Sequence, residues 1–264
     1  MTRAQLSRTI RKNWHAITRR SRVDTDPRLP SGPLRILGSS TKTVKGEGRG
    51  ILTGVVYLAP AASSGRNLCP NSTPSCRSGC LGEHAGRMGF DPNVKNAQQW
   101  KTALRFGDPA SYFALLRLDL AALAAKAARL GFLPAVRLDG TSDLGDAETI
   151  AGEFPGISSY EYTKSLARAK RWLLRDDLHA TLSFSGENLW DCLFFLGLGG
   201  NVAVPFDTAK GEAFPESWHG YPTLDGDKDD YRADDSAGHV VALSWKGPKS
   251  TRDAARLDGW LQPA

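Results

Sequence analysis

Apolar residues follow two different patterns in the middle of the chain. The run 51–59 is apolar almost throughout and rich in strand-forming residues, as is typical of a strand buried on both faces. After Asp108 and Pro109, apolar residues recur at helical spacing as far as Leu130. These patterns predict a buried strand, a helix at 93–106 and then a second, longer helix.

Short apolar runs and helical patterns alternate from residue 133 onward. The predicted strands are 133–138, 158–162, 180–184, 201–205 and 240–245, and the predicted helices are 146–153, 165–175, 189–198 and 251–261. Repeated βα units of this length are typical of a parallel sheet with right-handed crossovers. We therefore predict an α/β fold built on a parallel (β/α) barrel, complete or partial, that resembles a TIM barrel.

The first 33 residues differ in character from the rest. A possible helix at 4–18 is followed by a cluster of Asp, Pro, Ser and Gly, so we expect a basic, partly disordered arm at 1–33 and a single domain at 34–264. The net charge of +6 comes from this end, since residues 1–50 hold 12 Lys and Arg against three Asp and Glu. Such an arm can contact nucleic acid non-specifically, but no known nucleic-acid-binding module follows it, which favours a solvated arm.

The compartment follows from what the chain lacks. No apolar run approaches the roughly 20 residues that span a bilayer, and the first residues lack the apolar core of a secretory signal. We therefore expect a cytoplasmic protein with no membrane partner. Four cysteines, three of them in one loop, do not form a disulfide framework, and a reducing compartment would leave them free.

Three of the four cysteines lie within twelve residues. Cys69, Cys76 and Cys80 follow the spacing C-x6-C-x3-C in a loop of Pro, Asn, Ser, Thr and Gly that can point three thiolates at one centre. Three cysteines suit a [4Fe-4S] cluster held through three of its irons, whereas structural zinc usually takes four ligands. Zinc, a disulfide and inert thiols remain alternatives. His84, Cys192, water or a substrate could supply a fourth ligand, although Cys192 lies on an apolar helix and resembles a buried structural thiol.

Polar side chains cluster at the carboxyl ends of the predicted strands, where barrel enzymes keep their active sites. The candidate binding residues are Arg137, Asp139, Ser142, Tyr162, Ser185, Asn188 and Asp207, and the candidate catalytic residues are Asp143, Glu161 and Lys164. Lys164 could contact a carboxylate of a substrate or cofactor, donate a proton, or simply lie on the surface. The plainer alternative for Asp143, Ser185 and Asn188 is that they cap the next helices. Beside the cysteine loop, these residues predict a polar cavity for a small-molecule substrate.

The acidic stretch 225–230 opens like a calcium-binding loop. It departs from that pattern at its sixth position, which is Asp230, and at its twelfth, which is Ser236. We therefore expect a solvated loop there in preference to a magnesium site.

In combination these motifs resemble the "gene product 88" family of actinobacterial phages and mobile elements. The segments that carry the resemblance are the three cysteines with 81 and 86–87, then 137–143, 160–164, 184–188 and 225–227. The resemblance covers about 34–250 and implies a phage context more than an activity. If a phage encodes the protein, the compartment is the host cytoplasm.

A cysteine triplet after the first strand of a parallel barrel is also distantly similar to the radical-SAM enzymes. That similarity implies a radical-SAM-like core and S-adenosylmethionine as a second cofactor. The usual spacing in those enzymes is C-x3-C-x2-C, which differs from the spacing here, and no clear Gly-Gly-Glu element follows the second strand.

Three classes of function remain open. The first is a cluster-dependent enzyme in which one iron is open to SAM, substrate or water. The second is a non-catalytic redox, electron-transfer or sensor protein in which Cys192 or His84 closes the cluster and a redox partner is needed. The third is a zinc-stabilised protein that binds nucleic acid through its basic arm.

Overall fold

The computed structural model describes residues 1–84, 86–209, 211–247 and 249–264, without the side chains of 86 and 87. Its strands are β1 (Ile51–Val55), β2 (Leu133–Arg137), β3 (Ser158–Thr163), β4 (Leu178–Ser183), β5 (Asn201–Phe206), β6 (Ser217–Trp218), β7 (Tyr221–Asp225) and β8 (Val240–Ser244). Its helices are α1 (Arg3–Lys12), α2 (Trp14–Ser21), α3 (Thr41–Val44), α4 (Pro74–Ser78), α5 (Leu81–His84), α6 (Gly86–Phe90), α7 (Pro92–Gly107), α8 (Pro109–Leu130), α9 (Asp146–Ile150), α10 (Leu166–Leu173), α11 (Leu189–Gly197) and α12 (Lys249–Leu257). A 3-10 helix, Lys45–Arg49, leads into β1.

The strands form one mixed sheet in the order β1-β2-β3-β4-β5-β8-β7-β6. Each neighbouring pair is parallel except β6 and β7. The predicted α/β class and its parallel strands are therefore confirmed. The sheet is open, because β1 and β6 lie at its two edges and do not pair with each other, so the closed form of the predicted barrel is not present.

The two faces of the sheet are covered differently. On one face, Val136, Leu182 and Val204 belong to the main hydrophobic core that the helices complete, and we call this the helix face. On the other, Ala135 and Tyr160 pack with Tyr231 from the segment 226–239 that joins β7 to β8. We call this side the loop face. Because side chains alternate along a strand, successive residues of one strand lie on opposite faces of the sheet.

The N-terminal segment is packed into the core, which corrects the expected partly disordered arm. Leu6, Ile10 and Ile17 of α1 and α2 are buried in the main core. The guanidinium of Arg3 lies 2.6 Å from the carboxylate of Asp119 on α8. The apolar residues of this segment recur at helical spacing, which is typical of an amphipathic helix that packs against a core. The many charged residues between them made that pattern easy to overlook.

The basic side chains of this segment lie on its outer side. Arg8, Lys12 and Arg19 are exposed, opposite the buried apolar residues of the same helices. In the described parts of the chain, none of the helices has both the length and the apolar character that crossing a bilayer requires.

Candidate functional site

The cysteine loop is fixed to the carboxyl edge of the sheet by Thr73. Its hydroxyl caps α4, accepting from the N–H of Cys76 at 3.2 Å, and donates to the carbonyl of Ser185 at 2.7 Å. Gly79, between the second and third cysteines, packs so closely on the ring of Trp260 that any side chain there would overlap it. The loop is therefore held in place by β4 and the C-terminal segment, as its predicted position at the carboxyl ends requires.

The three loop thiols are free, half-buried and close enough to influence one another. Burial, with a smaller contribution from Cys80, raises the pKa of Cys69 to about 12. Burial also raises the pKa of Cys80, to which Cys76 adds. Cys69 and Cys80 therefore stay protonated at neutral pH unless a cation stabilises their thiolates. The disulfide alternative is not formed.

Lys164 brings a positive charge to these thiols. Burial by itself would lower the pKa of Lys164, but Cys76 and Asp143 outweigh it and raise that pKa. The backbone N–H of Lys164 donates to the Asp143 carboxylate at 3.0 Å. Lys164 is half-buried and is not the plain surface lysine of the alternative interpretation. Its catalytic role stays a prediction.

The candidate acids build the loop that follows β2. We call Asp139, Asp143, Asp146 and Glu161 the acid cluster. The Glu161 carboxylate accepts the backbone N–H groups of Leu138 and Asp139. Asp139 accepts from Ser142 and from the N–H of Gly145, each at 2.6 Å. Asp143 accepts from Thr163 at 2.7 Å and pairs with Arg168.

Every carboxylate of the acid cluster therefore has partners within the protein. Burial raises the pKa of Glu161 well above its ordinary range and raises that of Asp139, and their partners hold both in place. Ser142 is likewise engaged inside the loop. The geometry gives these residues structural contacts, and the catalytic or binding roles predicted for Asp139, Ser142, Asp143 and Glu161 stay predictions.

Ser185, Asn188 and Asp207 hold backbone in place at the same edge. The side chain of Asn188 accepts from the N–H of Ser185 at 2.7 Å and donates to the carbonyl of Ser183 at 3.0 Å. It therefore fixes the turn before α11 and does not cap that helix. Asp207 pairs with Arg252 at 2.6 Å and anchors α12 against β5.

Arg137 and Tyr162 lie on the loop face. The Arg137 guanidinium stands 4.6 Å from the centre of the Tyr162 ring and donates to Asp230 at 3.3 Å. Asp230 also accepts from the hydroxyl of Tyr160 at 2.8 Å and is buried. The prediction of a solvated loop at 225–230 is therefore wrong for Asp230. Its partners Tyr160 and Arg137 lie 70 and 93 positions earlier in the chain.

One comparison with known proteins identifies the family. A family model described as Gene product 88 matches residues 35–258. The chain belongs to the Gene product 88 family. No curated protein and no solved structure matches it. The family resemblance is thus confirmed, while the similarity to radical-SAM enzymes stays a hypothesis.

The metal-binding capacity of this Gene product 88 protein depends on the kind of centre considered. Among the residues that the structure describes, no three Cys, His, Asp or Glu side chains are gathered to hold a single metal ion. Zinc needs its ligands around one centre, whereas each thiolate on an iron–sulfur cluster binds a different iron. The cluster and its ligands Cys69, Cys76 and Cys80 therefore stay a prediction.

The two candidate fourth ligands differ in their surroundings. His84 lies 3.7 Å from Glu83 and is half-buried, with 41% of its side chain exposed. Cys192 is buried in the core of α11, and burial raises its pKa to about 12, as expected of a structural thiol. Lys164 nevertheless interacts electrostatically with Cys192.

Sequence reasoning missed Arg232 in this Gene product 88 chain. Its side chain is only 2% exposed and pairs with Asp229 and Asp235 on the loop face. Nothing in the local pattern distinguishes this arginine from a surface residue, because its partners and the strands beneath it come from distant parts of the chain.

Proposed function

We propose that this protein is an iron–sulfur protein that holds a [4Fe-4S] cluster through Cys69, Cys76 and Cys80. The observation that carries the proposal is the meeting of three free, half-buried thiols and the Lys164 amine at the carboxyl edge of a parallel sheet. Such a cluster supplies redox chemistry and one iron that no cysteine of the loop holds.

The surrounding residues have defined tasks in this proposal. Lys164 supplies a positive charge against the thiolates, and Asp143 fixes the backbone from which that amine projects. Against the effect of burial, the backbone N–H groups of Ala61 and Gly82 act to lower the pKa of the Cys69 and Cys80 thiols. Hydrogen bonds and charges of this kind stabilise thiolates and tune the reduction potential.

The finer proposal is a cluster-dependent enzyme, radical-SAM-like or of another type. A small-molecule substrate would approach from the carboxyl edge, which is where strand ends of parallel α/β folds bind ligands. Adding S-adenosylmethionine to the reduced protein and recording the EPR spectrum tests the SAM part. An unchanged spectrum would exclude SAM as a ligand of the cluster.

The second candidate is a redox, electron-transfer or sensor protein with a closed cluster. The observation in its favour is that Lys164 acts electrostatically on Cys192, whose pKa is raised by burial, as well as on the loop thiols. In that case Cys192→Ala would remove a ligand, whereas an enzyme with an open iron would keep its full cluster.

The deciding experiment is anaerobic purification with iron and sulfide analysis. We expect a brown protein that absorbs near 400 nm, and we expect Cys69→Ala, Cys76→Ala and Cys80→Ala each to lose iron and sulfide. Cys192→Ala is the matched control, since it also removes one thiol. A colourless protein with one bound zinc, or a full cluster in any loop variant, would contradict the proposal.

Compartment and nucleic-acid contact complete the proposal. We place the protein in the cytoplasm, or the host cytoplasm if a phage encodes it, because free thiols persist in reducing compartments. The exposed Arg8, Lys12 and Arg19 offer non-specific contact with nucleic acid. Binding that falls steeply with salt and weakens when these three are changed to Gln would support that contact.

A further inference from the structure

Buried polar atoms without a partner concentrate on the loop face. Fourteen buried side-chain nitrogen and oxygen atoms in the described residues have no hydrogen-bond partner within the protein, and seven of them lie on this one face. They are Arg137 Nε, Tyr162 OH, His179 Nε2, Thr181 Oγ1, Arg232 Nε and Nη1, and Asp235 Oδ2. Native proteins leave few such groups unsatisfied, so their concentration marks a place built for a further partner.

These atoms belong to one connected cluster. Tyr162 and Thr181 are neighbours across the β3–β4 pairing, and the Arg137 guanidinium covers the Tyr162 ring. Arg232 interacts electrostatically with Tyr162 and His179, and its Nη1 lies 3.0 Å from Asp235 Oδ2. We call Arg137, Tyr162, Thr181 and Arg232 the donor cluster.

A cavity of about 210 Å³ lies at the amino ends of β4 and β5, and Asp235, the ion-pair partner of Arg232, lines it. His179 and Asp235 line this cavity and also belong to the group of unpartnered residues. The space is large enough for a small ligand, and it lies at the opposite end of the strands from the cysteine loop. A ligand there would be separate from the proposed metal centre.

We propose that the donor cluster binds a small oxyanion, the carboxylate or phosphate group of a ligand. Arg232 Nη1 and Asp235 Oδ2 form an ion pair with each other, and four of the other five atoms are guanidinium nitrogens or hydroxyls, so what those four lack is acceptors. An oxyanion offers several acceptors and a negative charge at once, and arginine is the residue that binds such groups best.

Burial supports a built site over an accidental surface patch. Arg232 is 2% exposed and Thr181 is fully buried. The Nη2 of Arg232 already donates to the carbonyl of Asp229 at 3.1 Å, which holds the guanidinium in position. Asp235 faces Arg232 from the cavity, so its carboxylate competes with an incoming oxyanion for Nη1.

The test measures the melting temperature and binding of the full chain with inorganic phosphate and, separately, acetate, against chloride at equal ionic strength. At ten times the dissociation constant we expect a rise of about 3 °C. Tyr162→Phe and Thr181→Val should each weaken binding roughly tenfold, because each removes one donor. Asp235→Asn should tighten binding about threefold by removing the competing carboxylate.

Tyr112→Phe is the matched control, since Tyr112 is a fully buried tyrosine on α8 outside the donor cluster. It should bind the anion like the wild-type protein. If neither phosphate nor acetate stabilises the protein more than chloride, water satisfies these donors and the proposal is overturned. It is also overturned if phosphate binds but Tyr162→Phe and Thr181→Val bind it unchanged, because the anion then occupies another basic surface.

Discussion

The acid cluster, which joins Glu161 of β3 to the loop after β2, and the donor cluster on the loop face are both largely buried, but every carboxylate of the first has a partner within the protein and several donors of the second have none. Neighbours along β3 show the contrast: the Glu161 carboxylate accepts two backbone N–H groups, while the Tyr162 hydroxyl has no partner. Both are enclosed by the fold. The difference separates polar residues that build the fold from polar residues that the fold leaves available for a ligand.

The same contrast applies to individual charges. Asp146, in the acid cluster, takes three hydrogen bonds from the guanidinium of Arg105, the shortest at 2.7 Å. Arg232, in the donor cluster, pairs with Asp229 and Asp235 but keeps its Nε without a partner. A buried polar group stabilises the fold only while all its hydrogen-bond and ion-pair partners are present. Substitutions should therefore lower the free energy of unfolding far more on the helix face than on the loop face.

The largest effect should come from Asp146→Asn. Because Asp146 is 1% exposed, the change leaves the Arg105 cation without a charged partner in a mostly buried place. The free energy of unfolding should fall by about 3–5 kcal/mol. Urea denaturation followed by circular dichroism measures it.

Glu153→Gln provides the control for that prediction. Glu153 holds Arg117 through two hydrogen bonds as well, but the pair lies on the surface. Its loss should change the free energy of unfolding by at most about 1 kcal/mol. Equal losses for the two variants would show that burial of the acid cluster contributes nothing.

Lys101 is an intermediate case, a buried cation attracted to Asp119. Burial lowers its pKa to about 8, so between pH 8 and 10.5 the unfolded chain binds more protons at this residue than the folded chain. The contribution of Lys101 to stability therefore rises with pH across that window, by about 3 kcal/mol in all. Lys101→Met should be more stable than wild type at pH 7, and the difference should disappear by about pH 10.5.

Denaturant unfolding from pH 7 to 10.5 tests this, and the thiols and tyrosines cancel because they titrate in both proteins. Lys126→Met, an exposed change on α8, should show a pH-independent difference from wild type. A constant difference for Lys101→Met as well would mean that Lys101 keeps its ordinary pKa in the fold.

Asp139→Asn should have a smaller effect than Asp146→Asn. The amide keeps one acceptor for Ser142 or Gly145 but turns an N–H donor toward the other, without leaving a cation unpaired. The free energy of unfolding should fall by about 1–3 kcal/mol. Ser142→Ala removes one donor of the same network and should cost less. If Asp139→Asn leaves the free energy of unfolding unchanged, the 138–146 loop does not depend on this carboxylate.

Much of the fold could be predicted because its strands are buried on both faces. The apolar runs located β1 to β5 and β8 within a few residues, since an apolar run of strand length has few other uses. Whether the sheet closes into a barrel could not be predicted from the sequence, because closure depends on whether the two edge strands pair with each other. The short polar strands β6 and β7 left no apolar signal, and charge in α1 and α2 concealed their buried residues.

The site was predictable only as far as it is local. Cys69, Cys76 and Cys80 share one loop, and Lys164 reaches them because parallel strands end at one edge. Whether a candidate residue instead makes contacts that stabilise the fold depends on partners far along the chain. Asp230 and Arg232 reach the loop face from a segment whose composition indicated a solvated loop.

The smallest effect, and the most direct test of the contrast, is expected from Thr181→Val. The Thr181 hydroxyl has no partner within the protein, so replacing it by a methyl group of similar size breaks no hydrogen bond. In buffer free of phosphate and carboxylates, the free energy of unfolding should change by less than about 0.5 kcal/mol or rise slightly.

Thr163→Val is the matched control on the neighbouring strand. Its hydroxyl donates to Asp143 at 2.7 Å and accepts the N–H of Ser165 at 3.0 Å, so that change should cost about 1–3 kcal/mol. If the two threonine variants lose equal stability, the hydroxyl of Thr181 has a partner after all, and the two faces of the sheet do not differ in the way described.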